Sequence, residues 1–356
     1  MRRNTLIKIA IVIAVTVTAS ATARADVSSC SDMTGIAMER VTYQNFFSND
    51  TDPRAEPNDP QHQVKLRGWL YYDATDFVQD APVLIYNHGH DEERREPCAI
   101  ARYFVRKGFV VFAPLRRGHR GEPGSLIKST GIHTDVYVNK CMRSYETALA
   151  DGGGYEYLFC GSVSCRQEIS CSYSRRANAI ELFYIRKQIE DVDAQIGYIK
   201  QHPAISRADG KLADPTRITI LGHSYGGSLM IFSNQHDFGQ NVAVDISGAE
   251  LSWSDSNPFW EFDLKDAMLS QKQPMYFLQP KNGRSLQPTK VLFRVAVNQE
   301  YRSQAAIFPA VPPDEGNTDP DWKQAHGNFI SRSDQVEIWG PSVIEFIKRY
   351  PRSLPQ

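Results

Sequence analysis

The sequence predicts an α/β fold, with a mostly parallel central sheet that is covered by helices on both faces. Two observations favour this fold. Short apolar runs rich in β-branched residues alternate with stretches of helical periodicity along most of the chain. One such run, Ile218 to Leu221, leads into a serine between glycines and then into a segment suited to a helix. That order is a strand, a sharp turn and a helix in immediate succession.

Seven runs are predicted strands, because each is short, apolar and interrupted by more polar or turn-forming segments. In chain order they are Val64–Tyr72, Pro82–Asn87, Phe109–Pro114, Ile218–Gly222, Val242–Ser247, Met275–Leu278 and Ala305–Phe308. Helical periodicity predicts helices over Cys98–Lys107 and Ala179–Gln201. A closing helix is expected over Trp339–Tyr350, with Pro341 near its first turn.

The first residues form a basic and then apolar segment that is typical of a secretory signal peptide. Arg2, Arg3 and Lys8 precede a short apolar run, which ends at the small-residue site Ala23-Arg24-Ala25. A membrane anchor is the alternative, but a spanning helix needs about 20 apolar residues. We therefore expect cleavage of residues 1–25, export to a secreted or periplasmic location, and no membrane span afterwards.

The expected mature chain, residues 26–356, is one α/β domain with an insertion at residues 120–178. Loss of the four basic residues of the signal peptide takes the formal charge from −1 to −5, which argues against nucleic acid as a partner. The insertion interrupts the alternation of strands and helices and holds four of the six cysteines. We expect either a disulfide-stapled lid over the active site or a surface excursion with its own small core.

The six cysteines predict disulfide bonds, because an even number in an exported chain is typical of a cross-linked protein. The sequence does not choose among the possible pairings. A metal cluster at Cys160, Cys165 and Cys171 is disfavoured, since their spacing lacks the C-x-x-C form typical of zinc sites.

Ser224 is the candidate nucleophile. It stands in Gly222-His-Ser-Tyr-Gly226 directly after a predicted strand, and the two glycines permit a sharp turn into the following helix. A serine hydroxyl is a weak nucleophile unless it is held clear of the backbone, beside a base and near positioned N–H donors. The pattern therefore predicts a catalytic serine.

Two further motifs lie upstream and downstream of this serine. His88-Gly89-His90 follows the strand Pro82–Asn87, and Ala325-His326-Gly327 precedes the closing helix. Together with Gly222 to Gly226, they make residues 64–350, without the insertion, resemble the α/β-hydrolase superfamily, and within it the exported relatives of dienelactone hydrolases. The resemblance implies an α/β-hydrolase fold and neither a metal nor an organic cofactor.

The resemblance also implies a mechanism of acyl transfer. Ser224 is the nucleophile, His326 is the general base, and the N–H groups of Tyr225 and His90 hold the oxyanion. Of nine histidines, only His326 comes late enough in the chain to be that base. The expected substrate is a small molecule with a carboxylic ester or other acyl group. Dienelactone hydrolases use a cysteine nucleophile, so the serine points away from their particular reaction.

The acid of the triad departs from the family pattern. Relatives usually place an aspartate a few residues after the strand that here begins at Met275, and Gly283 occupies that place. Asp245, at the end of the preceding strand, is the first candidate, with Glu250 behind it. Asn282 could instead orient the imidazole without a charge, or the site could be weakened or inactive.

Arg116, Arg117 and Arg120 follow the strand Phe109–Pro114, near the edge of the sheet where such enzymes bind substrate. They could receive an anionic group of the substrate. The alternative is that they tie loops together through ion pairs.

Two alternatives to an esterase stay open. A serine peptidase of the prolyl-oligopeptidase type often has Ser-Tyr-Gly-Gly at the elbow, as residues 224–227 do, although fewer than about 40 mature residues precede the first predicted strand, too few for a propeller. A binding protein that kept the fold after it lost the triad acid is the other alternative.

Overall fold

The computed structural model describes residues 30–49, 63–75, 80–89, 97–116, 185, 188–202, 213–250, 253 and 258–351. The expected signal peptide at 1–25 and the insertion at 120–178 lie outside the described residues, and so do the four cysteines of the insertion. The lid prediction and the cleavage site therefore stay predictions.

Within the described residues, eight strands form one sheet, and all seven predicted strands are among them. The strands are β1 (Ile36–Asn49), β2 (Gln63–Asp73), β3 (Ala81–Asn87), β4 (Val110–Pro114), β5 (Ala213–His223), β6 (Val242–Ile246), β7 (Met275–Pro280) and β8 (Ser303–Phe308). Strand β1 is absent from the sequence prediction because it has no continuous apolar run. It buries Val41 and Tyr43 but exposes Met38, Glu39 and Arg40.

The strands run in the order β1-β2-β4-β3-β5-β6-β7-β8. β2 is antiparallel to both β1 and β4, and every later pair is parallel. The predicted mostly parallel sheet is confirmed. The register pairs Asn87 of β3 with Gly222 of β5, and Gly222 with Asp245 of β6. The residues that follow these three strands consequently meet at one edge of the sheet.

Helices cover both faces of the sheet, as predicted. They are α1 (Cys98–Val105), α2 (residues 188–201), α3 (Tyr225–Ser233), α4 (Pro258–Ala267), α5 (Gln287–Asn298), α6 (Asp321–Ser331) and α7 (Ser333–Lys348). None of the helices in the described part of the chain has the length and apolarity needed to cross a bilayer.

The core divides into two clusters, one on each face of the sheet. Alternate residues of β3 show the division, since Ile85 faces the cluster that includes Val192 of α2, whereas Leu84 faces the cluster that includes Phe104 of α1. All four side chains are fully buried. This alternation follows from the two-residue period of a strand whose two faces are both covered.

The closing helix differs from its prediction. α7 begins at Ser333 rather than Trp339, so Pro341 lies inside the helix instead of near its first turn. A proline in a helix interior removes one backbone hydrogen bond. The helix is held at this point by Trp339, which is fully buried and donates its indole N–H to the carbonyl of Phe329 at 2.8 Å.

A disulfide joins Cys30 to Cys98, the first residue of α1. Beside it, Arg102 of α1 forms an ion pair with Asp32 at 3.2 Å. The bond ties the segment before β1 to the helix that follows β3. Of the six cysteines for which disulfide bonds are predicted, Cys30 and Cys98 are therefore one pair.

Candidate active site

Ser224 lies at the sharp turn between β5 and α3. Its backbone has φ 56° and ψ −118°, a conformation that a non-glycine residue keeps only where the surrounding structure enforces it. Gly222 and Gly226 are required at their positions because no side chain fits there. A Cβ on Gly222 would collide with the carbonyl of Gly226, and a Cβ on Gly226 would collide with the carbonyl of Asn87. This is the geometry of a nucleophile elbow.

The elbow is attached to the neighbouring strand β6. The backbone N–H of Ser224 donates to the carbonyl of Ile246 at 2.9 Å. Ile246 is the last residue of β6. Ser224 itself is partly exposed, so the turn presents the serine at the carboxyl edge of the sheet.

His326 lies inside α6, which is the helix before the closing one. Its ring centroid is 4.5 Å from that of His223, the residue directly before Ser224. His326 is buried, with 8% of its surface exposed. The fold thus brings this late histidine to the elbow, where a general base has to be.

Glu250 is the carboxylate that contacts His326. Nδ1 of His326 lies 2.8 Å from Oε2 of Glu250, and the Glu250 side chain is completely buried. The other carboxylate oxygen, Oε1, accepts the backbone N–H of Arg284. A carboxylate on Nδ1 fixes the orientation of an imidazole and leaves Nε2 as the nitrogen that can take a proton.

Gly283 makes room for this carboxylate. A Cβ at position 283 would lie 2.5 Å from Oε1 of Glu250 and 2.9 Å from Nε2 of Gln279. Both distances are shorter than those at which carbon packs against such atoms. The absence of a side chain at position 283 therefore leaves the space that Glu250 fills.

Asp245, the first candidate for the acid, occupies a different position. It lies within β6, opposite Gly222, and its Oδ1 accepts the backbone N–H of Gly248 at 2.7 Å. Its carboxylate packs against the α-carbons of Gly227 and Gly248, either of which would collide with it if it carried a Cβ. The hydrogen bond of His326 therefore goes to Glu250 rather than Asp245, because Glu250 lies past the end of the strand, on the side of α6.

Burial raises the pKa of Asp245 to about 7, although the Gly248 N–H and the nearby His223 both lower it, and Glu250 adds to the rise. A buried carboxyl is hard to ionise in low-dielectric surroundings. Asp245 is thus a poor permanent anion at neutral pH, which also disfavours it as the partner of an imidazolium.

Asn282, the uncharged candidate, is engaged elsewhere. Its Nδ2 donates to the carbonyl of Val311 at 2.9 Å, and its Oδ1 accepts the N–H of Val311 at the same distance. It links the loop after β7 to the chain after β8. Of the sequence candidates for the acid, the structure brings Glu250 alone into hydrogen-bond contact with His326.

Of the two residues expected to donate N–H groups to the oxyanion, the structure describes Tyr225 but not His90. Tyr225 is the first residue of α3, directly after the elbow serine, whereas His90 lies outside the described residues. His88 and Gly89, just before it, are buried. Arg116 is also buried, with 1% exposure, while Arg117 and Arg120 lie outside the described part. Arg116 contacts the carbonyl of Gly89 and the ring of Tyr225.

No family model matches the chain, and no curated protein sequence matches it. Among solved structures, the esterase Pf2001 of Pyrococcus furiosus is similar, with 16% identity, a TM-score of 0.50, and coverage of 90% of this chain and 95% of that one. An acetyl xylan esterase from Paenibacillus sp. R4 has 13% identity, a TM-score of 0.49, and coverage of 90% and 85%.

An acylaminoacyl peptidase from Pyrococcus horikoshii has 15% identity and a TM-score of 0.47, and the match covers 90% of this chain but 43% of the peptidase. The strand order, the elbow and the likeness to Pf2001 define the fold as that of the α/β hydrolases. At these identities the likeness concerns the fold and leaves the reaction to the site itself. The narrower resemblance to dienelactone hydrolases stays a prediction.

Proposed function

We propose that this protein is a serine hydrolase that cleaves a carboxylic ester. Ser224 is the nucleophile, His326 the general base and Glu250 the acid, in place of Asp245. The observation that carries the proposal is the contact between His326 Nδ1 and the buried Glu250 carboxylate, made beside the strained elbow that presents Ser224.

In the first half of the reaction, Oγ of Ser224 attacks the ester carbonyl carbon while Nε2 of His326 takes the hydroxyl proton. The tetrahedral oxyanion is held by the N–H of Tyr225 and by the peptide N–H that follows Gly89. Collapse of this intermediate expels the alcohol, which takes the proton from His326 and leaves an acyl group on Ser224. Glu250 stabilises the imidazolium while it exists.

In the second half, a water molecule attacks the acyl-enzyme. His326 takes a proton from that water and returns it to Oγ of Ser224 as the carboxylic acid leaves. The sum is one ester and one water converted into one acid and one alcohol. The steps use these side chains, the backbone N–H donors and one water molecule.

A fluorophosphonate probe tests the proposal without knowledge of the substrate, because it reacts with an activated serine. We expect wild-type protein to be labelled and both Ser224→Ala and His326→Ala to lose labelling. A folded wild type that resists the probe would contradict the proposal and favour a non-catalytic protein with this fold. A panel of short-chain esters and peptide amides then separates the esterase from the peptidase alternative.

We also propose that the protein is exported. The basic and apolar first residues support this, and so does the disulfide between Cys30 and Cys98, since such bonds persist mainly in oxidising compartments. Mass spectrometry of the native protein should give a mature form that begins at Asp26. A form that retains residues 1–25 in the cytosol would contradict export.

A further inference from the structure

The backbone carbonyl of Gly89 is held by side-chain contacts from two directions. Nη2 of Arg116 donates to it at 2.8 Å, and Nδ1 of His88 lies 2.8 Å from the same oxygen. The backbone N–H of Arg116 donates in turn to Nε2 of His88 at 3.2 Å. Since Nε2 is then an acceptor, a neutral His88 carries its proton on Nδ1 and donates it to Gly89.

A peptide group is planar, so its carbonyl and its N–H turn together. Two donors on the Gly89 carbonyl therefore fix the plane of the peptide that follows Gly89. The N–H of this peptide is the one that the proposed function assigns to the oxyanion. Gly89 itself is a described residue, and its Cα, C and O atoms define this plane.

Arg116 also touches the other half of the proposed oxyanion hole. The guanidinium carbon lies 4.7 Å from the centre of the Tyr225 ring, a distance at which a cation and an aromatic face attract each other. Tyr225 begins α3 and supplies the second N–H donor. One guanidinium group thus spans the two segments whose N–H groups must converge on the same oxygen.

Helix α2 also binds the guanidinium group of Arg116. Nη1 of Arg116 donates to Oε1 of Gln188 at 3.3 Å. Two turns further along the helix, the side-chain amide of Gln195 forms two hydrogen bonds with that of Asn87, at 3.2 and 3.3 Å. Asn87 is the residue directly before His88. The buried amides of α2 therefore hold both Arg116 and the end of β3.

The sequence leaves two roles open for Arg116: it could bind an anionic group of the substrate, or it could link loops of the protein. These contacts favour the second role. The side chain is 1% exposed, and its two terminal nitrogens donate to Gly89 and Gln188. A guanidinium that receives a substrate anion needs a face open to the ligand.

We propose that Arg116 is a positioning residue that aligns both donors of the oxyanion hole. The inference rests on the proposed function. It predicts that loss of the guanidinium weakens stabilisation of the transition state while substrate binding is little changed, since ground-state ester makes the weaker contacts with these N–H groups.

The experiment measures kcat and KM for a p-nitrophenyl ester with Arg116→Met, Arg116→Lys and Gln188→Leu, and the melting temperature of each. Loss of a whole oxyanion donor costs roughly 100- to 1,000-fold in kcat, so we expect a fall of about 10- to 100-fold for Arg116→Met, with KM changed less than about threefold. Lysine cannot reproduce the planar fork, and Arg116→Lys should also lose kcat. Gln188→Leu keeps the buried charge and should give a smaller fall.

A trifluoromethyl ketone gives the second measurement, because its adduct on a serine carries an oxyanion. Its affinity should fall by the same factor as kcat/KM. Arg102→Met is the matched control, since it deletes an arginine that pairs with Asp32 beside the disulfide. We expect the control to lower the melting temperature without changing kcat.

Folded Arg116 or Gln188 variants with wild-type kcat and inhibitor affinity would overturn the inference. If Arg116→Met does not fold, Arg116→Lys and Gln188→Leu decide in the same way. The two proposals fail differently. A wild type that neither hydrolyses esters nor reacts with the probe overturns the proposed function, whereas an active wild type with equally active variants overturns this inference alone.

Discussion

Gly283 lies against the carboxylate of Glu250, so that any side chain at position 283 would enter the space that the carboxylate fills. The backbone N–H of the next residue, Arg284, donates to the same oxygen. The loop after β7 therefore binds the Glu250 carboxylate. In the proposed triad, the acid comes from the chain that follows β6.

A methyl group at position 283 should disturb the acid without removing it. In Gly283→Ala the new Cβ would lie 2.5 Å from Oε1 of Glu250, so the carboxylate or the loop after β7 has to shift, which disturbs the contact with His326. Small displacements of catalytic groups can cost about 100-fold, and we expect kcat to fall roughly 10- to 100-fold. The matched control is Gly327→Ala, in the same helix as His326, where an added Cβ meets nothing within 4 Å.

The activities of two isosteric variants should show whether Glu250 or Asp245 is the acid of the triad. Glu250→Gln removes the charge that stabilises the imidazolium, and we expect kcat to fall roughly 1,000- to 10,000-fold, as replacement of a triad acid does elsewhere. Asp245→Asn keeps an oxygen for the Gly248 N–H and should retain most of the activity. The reverse order of activities would restore Asp245 as the acid. Fluorophosphonate labelling rates give the same comparison without a known substrate.

The carboxylate should be transferable to position 283, in the loop after β7. Truncation in Glu250→Ala empties the space beside Gly283, and an aspartate at position 283 would place a carboxylate there. We expect Glu250→Ala/Gly283→Asp to be more active than Glu250→Ala. The control is Glu250→Ala/Gly283→Asn, which has the same shape without the charge and should show no gain. Equal activity of both double variants would contradict the idea that a carboxylate at position 283 can replace that of Glu250.

Asp245 should make the stability of the fold depend on pH. Its pKa in the folded protein is about 7, above the value of about 3.9 for an unfolded chain. Between about pH 4 and pH 7 the folded state holds a proton that the unfolded state has released, so the contribution of Asp245 to stability decreases as pH rises. The shift corresponds to at most roughly 4 kcal/mol at pH 8.

Urea unfolding of the wild type and of Asp245→Asn at several pH values measures this contribution. The free energy of unfolding of the wild type, relative to the variant, should be largest near pH 4 and should decline until about pH 7. A difference that does not vary with pH would show that Asp245 has an ordinary pKa in the folded protein.

The strands could be predicted because their buried runs are local. β3 to β7 are covered on both faces, and such strands appear in the sequence as short, nearly continuous apolar runs. β1 has buried Val41 and Tyr43 beside exposed Met38 and Glu39, and its pairing with β2 is what makes it a strand. Tertiary context decides such cases.

The sharp turn at Ser224 could be predicted because it is encoded locally, in Gly222, Ser224 and Gly226. The carboxylate that contacts His326 could not be predicted, since it depends on where the chain goes after β6 and on space left by a residue in another loop. Asp245 and Glu250 are five positions apart, yet one is confined within the strand beside Gly248 and the other reaches His326. The glycine in the usual place of the acid was the one local signal.

The hydrogen bond from the Ser224 N–H to the carbonyl of Ile246 has a mechanical consequence. It ties the elbow to the residue at which the chain leaves β6 towards Glu250, so the proposed nucleophile and acid share one anchor point. His326 on α6 contacts this pair through Glu250 and through the ring of His223, so all three residues of the proposed triad are connected to the ends of β5 and β6.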